Sequence, residues 1–277
     1  MKIVLRKKDS VTSIVLFLFN IYGEYTGQYS IGLNKLIRFM QQFEKNETST
    51  RMGLSRMVKA GVLANQRSEN EVYYQLTDYG LENIRIWNDG IGRFFARFNK
   101  RHNPWEPKWY LAVLMNFHKS DKENQLIVDE LMELGLREME KNVWLCPYRV
   151  SGQMADLSVK NQFEYIELWG GNIFYNFTAD QLLKDIFEIE PVRKSYLKLL
   201  DLIEEIKNES AGLKDNDGHH LPLLFKLGWN FYDTAVSDPV VPEELIPDWE
   251  GDRVVKEFTE LRRHLFDRVT GYFEKNI

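Results

Sequence analysis

The chain has 277 residues, 44% apolar and 28% charged, which is the composition of a globular protein long enough for two or three domains. The longest apolar run, residues 14–19, is much shorter than the about 20 residues that cross a bilayer, and the N-terminus lacks a signal-peptide pattern. The single cysteine, Cys146, excludes an intramolecular disulfide. We therefore expect a cytoplasmic protein without a membrane partner.

Charge is distributed unevenly along the chain. The net charge is −5, yet residues 1–110 hold 17 Lys and Arg against 10 Asp and Glu, a balance of +7, and the remaining residues carry −12. This asymmetry indicates a basic nucleic-acid-binding region on an acidic body. Chance clustering of solvated charges is the alternative.

The first hundred residues contain the pattern of three helices, a hairpin and a fourth helix. Ser10 is placed to cap the first helix, and Gly23 and Gly27 indicate a turn after it. The predicted elements are helices over 10–22, 31–43 and 48–60, strands over 62–66 and 72–76 around the polar tip 67–70, and a helix over 78–99. This order is typical of a winged helix-turn-helix.

The predicted third helix has two distinct faces. Leu54, Met57, Val58 and Gly61 share one face, and Gly61 is expected to end the helix. Ser49, Met52, Arg56 and Lys59 lie roughly on the opposite face. That face is either a solvated surface or one that lies against DNA.

Beyond a proline-containing boundary near residues 100–108 the pattern changes to alternating strands and helices, and from about 178 it is helical. The strands are predicted at 109–117, 137–147 and 163–171, with helices at 122–136 and 153–161. We predict an α+β, mainly helical chain in three domains: a winged helix with its connecting helix (1–100), a ferredoxin-like domain (101–177) and a helical C-terminal domain (178–277).

Three stretches carry a resemblance to a known family. "RMGLSRMVKAGVL" followed by "VYYQLTDYG" is similar to a recognition helix and wing, and "LMELGLREMEKNVWLCP" to a middle-domain helix and strand. "SDPVVPEELIPDWEGDRVVKEF" is similar to a C-terminal signature of spaced prolines before Trp and Gly. Together they resemble the PaaX-type transcriptional repressors, the regulators of phenylacetic acid degradation, over about residues 10–275.

The resemblance implies a cytoplasmic homodimer that represses a catabolic operon. Such a dimer binds a palindromic operator in double-stranded DNA and is released by a small effector, in the type case a coenzyme A thioester, phenylacetyl-coenzyme A. Carried over by position, the recognition helix is 48–60 and the wing is 65–75. We predict no enzymatic activity and no cofactor.

We predict DNA contacts for seven residues of the helix and wing. Arg56 is expected to read a guanine edge, and Lys59 and Arg67 to bind phosphates. Glu69 and Glu71 next to Arg67 would repel a DNA backbone, so we expect the wing tip to stay clear of it. The predicted DNA-binding residues are Thr48, Ser49, Arg51, Ser55, Arg56, Lys59 and Arg67.

Two other functions fit parts of the sequence. A ferredoxin-like middle domain is shared with CRISPR-associated nucleases, but Asn116 stands where such an enzyme needs an acidic metal ligand, and Asp121 lies five residues further. A protein-interaction scaffold with a vestigial winged helix is the third possibility. The adjacent His219 and His220 do not share a helix face, so we predict no metal site, and spacing does not locate the effector pocket.

Overall fold

The computed structural model describes residues 8–68, 71–117, 122–171 and 178–276. It is mainly helical with two antiparallel sheets, which confirms the α+β class. Within these ranges, no helix combines the length and the apolar character needed to span a bilayer.

The N-terminal region contains the expected helices and hairpin, with one additional strand. Its elements are α1 (Val11–Thr26), β1 (Ser30–Gly32), α2 (Leu33–Gln41), α3 (Glu47–Lys59), β2 (Leu63–Ser68), β3 (Glu71–Leu76) and α4 (Asp78–Arg101). The predicted cap of α1 is confirmed, because the Ser10 hydroxyl accepts a hydrogen bond from the Ser13 amide at 3.1 Å.

The prediction of a turn between Gly23 and Gly27 was wrong at its first residue. Helix α1 continues through Gly23 and ends only at Gly27, which has a φ of 71°. The ring of Tyr29 lies so close to Gly23 that a Cβ at this position would collide with the ring, which explains the glycine. From the sequence alone, a helical glycine that makes room for a neighbouring ring cannot be distinguished from a glycine in a turn.

Strand β1 was not predicted, because residues 31 and 32 were assigned to the second helix. It pairs with β3, which lies between β1 and β2, so the three strands form an antiparallel sheet in the order β1-β3-β2. Ile31 on β1 is 1% exposed and belongs to the core.

The rest of the chain contains a four-stranded sheet followed by helices. Its elements are β4 (Trp109–Met115), α5 (Lys122–Glu133), β5 (Arg137–Glu140), β6 (Val143–Cys146), α6 (Ser151–Asn161), β7 (Glu164–Gly170), α7 (Ala179–Gln181) with a π-helical turn at Leu182–Ile186, α8 (Ile189–Ala211), α9 (His220–Ala235) and α10 (Glu250–Lys275). The strand order is β5-β6-β4-β7, and each neighbouring pair is antiparallel.

The single strand predicted over residues 137–147 is two strands. A turn separates β5 from β6, and Asn142 in that turn has a φ of 63°. Asparagine tolerates this left-handed conformation better than most residues, so the polar "EKN" inside the run was the turn signal that the prediction overlooked.

Contacts divide the chain into two compact units, each built from non-consecutive segments. The first contains Met1–Asp89, Leu199–Phe231 and Val255–Ile277. The second contains Gly90–Lys198 and Tyr232–Val254. The three consecutive domains expected from the sequence remain a prediction.

Within the second unit, buried arginines hold the connector between α9 and α10. Arg101, 1% exposed, donates to the carbonyls of Val241 at 2.7 Å and Ile246 at 2.5 Å and pairs with Asp252 at 3.0 Å. Arg137 donates to the Ser237 carbonyl at 2.6 Å, and burial lowers its pKa to about 10. The prolines of the connector leave carbonyls without helical partners, and these guanidinium groups satisfy them.

Asp238, in the same connector, is the buried carboxylate of this region. It is 1% exposed, accepts a hydrogen bond from the Tyr196 hydroxyl at 2.5 Å and from the Val240 amide at 2.6 Å, and burial beside this carboxylate raises the pKa of Tyr196. The motif "SDPVVPEELIPDWEG" therefore contains residues that order the connector from within.

Removing the Arg101 guanidinium leaves two buried carbonyls without their arginine donor and Asp252 with only the more distant His102 ring at 3.5 Å. We expect Arg101→Met to lower the free energy of unfolding by about 2–4 kcal/mol, measured by urea denaturation of the full chain. The control is Arg85→Met on the same helix, whose guanidinium is exposed and pairs with Glu82, and which should change stability by less than about 0.5 kcal/mol. Equal effects of the two variants would contradict the role assigned to Arg101.

The Cys146 thiol is buried, and this burial raises its pKa to about 11. A thiol is neutral below its pKa, and the neutral form is a poor nucleophile. We expect Ellman's reagent at about pH 8 to leave the native protein unlabelled and to titrate one thiol per chain in guanidinium chloride. Rapid labelling of the native protein would show that the thiol is accessible.

Candidate nucleic-acid interface

Helix α3 has well-formed ends. The Asn46 side chain accepts a hydrogen bond from the Ser49 amide at 2.8 Å and caps the N-terminus. The helix begins at Glu47, one residue earlier than predicted. At the C-terminus, the amides of Gly61 and Val62 bond the carbonyls of Val58 and Met57, and Gly61 has a φ of 71°. This is a Schellman motif, and it confirms that Gly61 ends the helix.

The buried face of α3 packs within the first unit. Thr50, Gly53, Leu54 and Met57 are its buried residues. Gly53 lies against Val11 of α1 so closely that a Cβ at this position would collide with the valine. This close approach sets the rotation of α3 about its own axis, which decides the side chains it presents to solvent.

The face away from the core carries the predicted contact residues. Thr48, Arg51, Ser55, Arg56 and Lys59 are exposed. Within the ranges that the structure describes, no hydrogen bond or ion pair joins the side chains of Arg56 and Lys59 to another residue. Both cations are therefore available to a partner.

Two predicted contact residues already have local partners. The Arg51 guanidinium pairs with Glu47 at 2.7 Å, one helical turn away, and both side chains are about half exposed. The half-buried Ser49 donates its hydroxyl to the Asn46 carbonyl at 2.9 Å. Contact of Arg51 with an external group would first break its ion pair, which costs little at the surface.

Met52 was placed on the outer face but not among the contact residues. It is 52% exposed and lies one residue after Arg51 on α3. A single exposed apolar side chain is common on protein surfaces, so its exposure alone does not mark a site. The sequence already indicated that Met52 is exposed, because it lies opposite Leu54 and Met57 on the helix.

The hairpin places Arg67 within strand β2, not at the tip. Arg67 pairs in register with Val72, and the strand continues to Ser68. Within the described residues its side chain is exposed and has no hydrogen-bonding partner. Residues 69 and 70 lie outside the described residues, so the expected effect of Glu69 stays a prediction.

Glu71 is positioned differently from the expectation. It pairs with Ser68, so its side chain and that of Arg67 leave the hairpin on opposite faces. Its Oε1 accepts the backbone amide of Asn34 at 3.1 Å, in the first turn of α2. The carboxylate stabilises the positive end of α2 and does not neutralise Arg67.

Helix α2 and the helix before it are supported by the C-terminal helix α10. The Phe273 ring lies 4.9 Å from that of Phe39 and 5.5 Å from that of Tyr22, measured between centroids. The Arg262 guanidinium donates to both carboxylate oxygens of Glu24 at 2.9 and 2.8 Å. Helices α1 and α2 therefore rest on residues more than 230 positions further along the chain.

The other candidate sites of the sequence are not assembled in the described residues. Asn116, with a φ of 53°, is exposed at the end of β4, and Asp121 lies outside the described ranges. Those ranges contain no cluster of three or more His, Cys, Asp or Glu side chains that could hold a metal ion. His219 is exposed and pairs with Asp217 at 2.7 Å, whereas His220 is 1% exposed.

Comparisons with known proteins bear on the N-terminal region and on the fold. A family model described as PaaX-like protein matches residues 10–80, from the cap of α1 to the start of α4. The comparison with curated proteins gave no match. The solved structure of the uncharacterized protein Rv0674 from Mycobacterium tuberculosis is similar with a TM-score of 0.59 and 17% identity, over 95% of this chain and 99% of that protein.

At 17% identity the likeness to Rv0674 concerns the fold alone. The family model is more specific, because it covers α1 to β3 together with Arg56, Lys59 and Arg67. The resemblance to the PaaX-type family is therefore confirmed, through the segment 10–80 that contains the candidate nucleic-acid interface.

Proposed function

We propose that the protein is a transcriptional repressor that binds double-stranded DNA through α3. The observation that carries this proposal is the pair of exposed, partner-free cations Arg56 and Lys59 on the outer face of α3. The match of residues 10–80 to the PaaX-like model supports a transcriptional regulator at the level of the family.

In this proposal, α1 to β3 form a winged helix-turn-helix in which α3 enters the major groove. The order of helices and strands and the antiparallel hairpin are those of that motif. Arg56 takes the O6 and N7 acceptors of a guanine, Lys59 a phosphate, and Met52 the methyl group of a thymine. Arg67, on the face of the hairpin away from Glu71, takes a second phosphate.

The middle sheet supports the ferredoxin-like part of the proposal. The order β5-β6-β4-β7 joins two strand-helix-strand units through antiparallel neighbours, as a ferredoxin-like domain requires. In the proposed cytoplasmic homodimer, two copies of α3 meet half-sites of a palindromic operator about 34 Å apart or a multiple of that spacing. Asn116 offers a neutral amide where a metal-dependent nuclease needs a carboxylate, so the repressor is the better proposal.

Release from the operator follows from binding of a small effector that favours a different arrangement of the dimer. The resemblance implies a coenzyme A thioester of the phenylacetate pathway. Selection of bound sites from random duplexes, followed by a screen of acyl-coenzyme A esters for release, identifies the operator and this effector.

The first test is Arg56→Ala, because its guanidinium is proposed to read a base. We expect a loss of about 1–3 kcal/mol in binding free energy, or about 5- to 150-fold in Kd, in gel-shift assays with the selected duplex. The control Arg85→Ala removes the same charge from an exposed position of α4 and should change the Kd less than about two-fold. Wild-type affinity in the Arg56 variant would refute its role.

Lys59 is proposed to bind a phosphate, so its removal should weaken binding to all duplexes alike. We expect Lys59→Ala to reduce the slope of log Kd against log salt concentration by about 1, without a change in preferred sequence. A salt slope equal to that of the wild-type protein would exclude a phosphate contact. Absence of any salt-sensitive DNA binding by the wild-type protein would overturn the repressor and favour the interaction scaffold.

A further inference from the structure

A cleft in the first unit is lined in part by α10, the helix that packs against α1 and α2. It has a volume of about 420 Å³ and is formed by the end of α8, the following loop and α10. This volume lies within the range of about 300–1,000 Å³ that is usual for small-molecule sites. Its lining includes the apolar Leu213 and Leu261 and the charged Lys207, Asp215, Glu260 and Arg268.

The charges of the cleft select one kind of ligand. Lys207 donates to Glu204 and Glu257, each at 3.0 Å, and Glu260 adds an exposed carboxylate. Arg268 forms an ion pair with Asp215, a residue of the loop whose side chain is 75% exposed. A single incoming carboxylate can replace Asp215 on Arg268, whereas a ligand with several negative charges would meet Glu260 and the acidic partners of Lys207.

The loop that carries Asp215, residues 212–219 or the α8–α9 loop, is held at both of its sides. The His220 ring hydrogen-bonds the Lys214 carbonyl at 3.3 Å and the Ser210 hydroxyl at 3.4 Å. Burial lowers the pKa of His220, so the neutral ring donates through Nε2 and accepts through Nδ1. Asn216 has a φ of 60°, and its amide fits against Gly271, one turn beyond Arg268 on α10.

The far side of this loop contacts the helix-turn-helix segment. Gly218 is buried, and a Cβ there would lie 2.5 Å from Cδ of Gln42. Gln42 is the C-cap of α2 and begins the turn that leads to Asn46, the N-cap of α3. The loop therefore separates the cleft from the α2–α3 turn by only a few residues.

From these contacts we infer that the cleft binds a small monocarboxylate with an apolar body, and that this ligand acts on the α2–α3 turn. The carboxylate replaces Asp215 on Arg268, and the apolar body contacts Leu213 and Leu261. The released α8–α9 loop then changes its contact with Gln42, which changes the position of α3. The last step rests on the proposed DNA-binding role of α3, and the ligand site itself does not. The near-neutral cleft differs from a site for the phosphates of coenzyme A.

Benzoate serves as the probe, with the isosteric but neutral benzamide as its control. In titration calorimetry with the full chain, we expect benzoate to bind at least about ten-fold more tightly than benzamide, because only the carboxylate pairs with Arg268. Equal affinities, no binding of benzoate at about 10 mM, or tighter binding of inorganic pyrophosphate than of benzoate would each overturn the site.

Three variants assign the site to its residues. Arg268→Gln should weaken benzoate binding at least about ten-fold, and Asp215→Asn should strengthen it about three- to ten-fold, because Asp215 competes with the ligand for Arg268. Arg263→Gln, an exposed position on the same helix outside the cleft, should leave the affinity unchanged. A wild-type affinity in Arg268→Gln would overturn the proposal. Because the Arg268–Asp215 pair lies near the surface, we expect each variant to stay folded, and thermal melting checks this.

Hydrogen exchange tests the connection to the α2–α3 turn without DNA. We expect benzoate to change amide exchange in residues 212–220 and in residues 41–47 of the wild-type protein and in neither segment of Arg268→Gln. A change confined to 212–220 would refute the transmission. Since no DNA is present, a loss of operator binding overturns only the proposed function, and a failure of benzoate binding overturns only the ligand site.

Discussion

The packing of α10 against α1 and α2 is the interaction on which the rest of the first unit depends. Phe273 contacts Tyr22 and Phe39 through ring centroids 5.5 and 4.9 Å apart, and Phe39 is fully buried. Aromatic pairs at these distances add to a large area of buried apolar surface. A three-helix segment with a short hairpin has a small core of its own, and α10 adds apolar surface that keeps α1 and α2 in place.

This packing joins the C-terminal region to helices α1 and α2, which in turn contact α3. Helix α10 contributes Phe273 to the core beneath α2, and five residues earlier it contributes Arg268 to the cleft. The α8–α9 loop lies against α10 at Gly271 and against α2 at Gln42. A connection through directly packed residues requires no long chain of intermediates between the proposed ligand site and α3.

The sequence predicted local structure better than it predicted partners. Helical periodicity and caps located α1, α3 and α4 to within a few residues, since Ser10, Gly61 and Thr77 act through their immediate neighbours. Periodicity identifies which face is buried and not what buries it. The contacts of Phe273 with Phe39 and of Arg101 with the Ile246 carbonyl join residues more than 140 positions apart, and no local pattern reveals them. The ion pair between Arg268 and Asp215 at the cleft could not be predicted for the same reason.

The exposed cations of α3 do little for the stability of the folded chain. Arg56 and Lys59 are three residues apart on one helix face, and like charges at this spacing destabilise a helix by about 0.2–0.5 kcal/mol. Their position in the last turn, near the negative end of the helix dipole, offsets this repulsion by a similar amount. Arg51 on the same helix has its own carboxylate in Glu47, whereas Arg56 and Lys59 have no such partner among the described residues. Folding therefore gains almost nothing from this pair, and this is the physical basis of the proposal that a DNA duplex binds it.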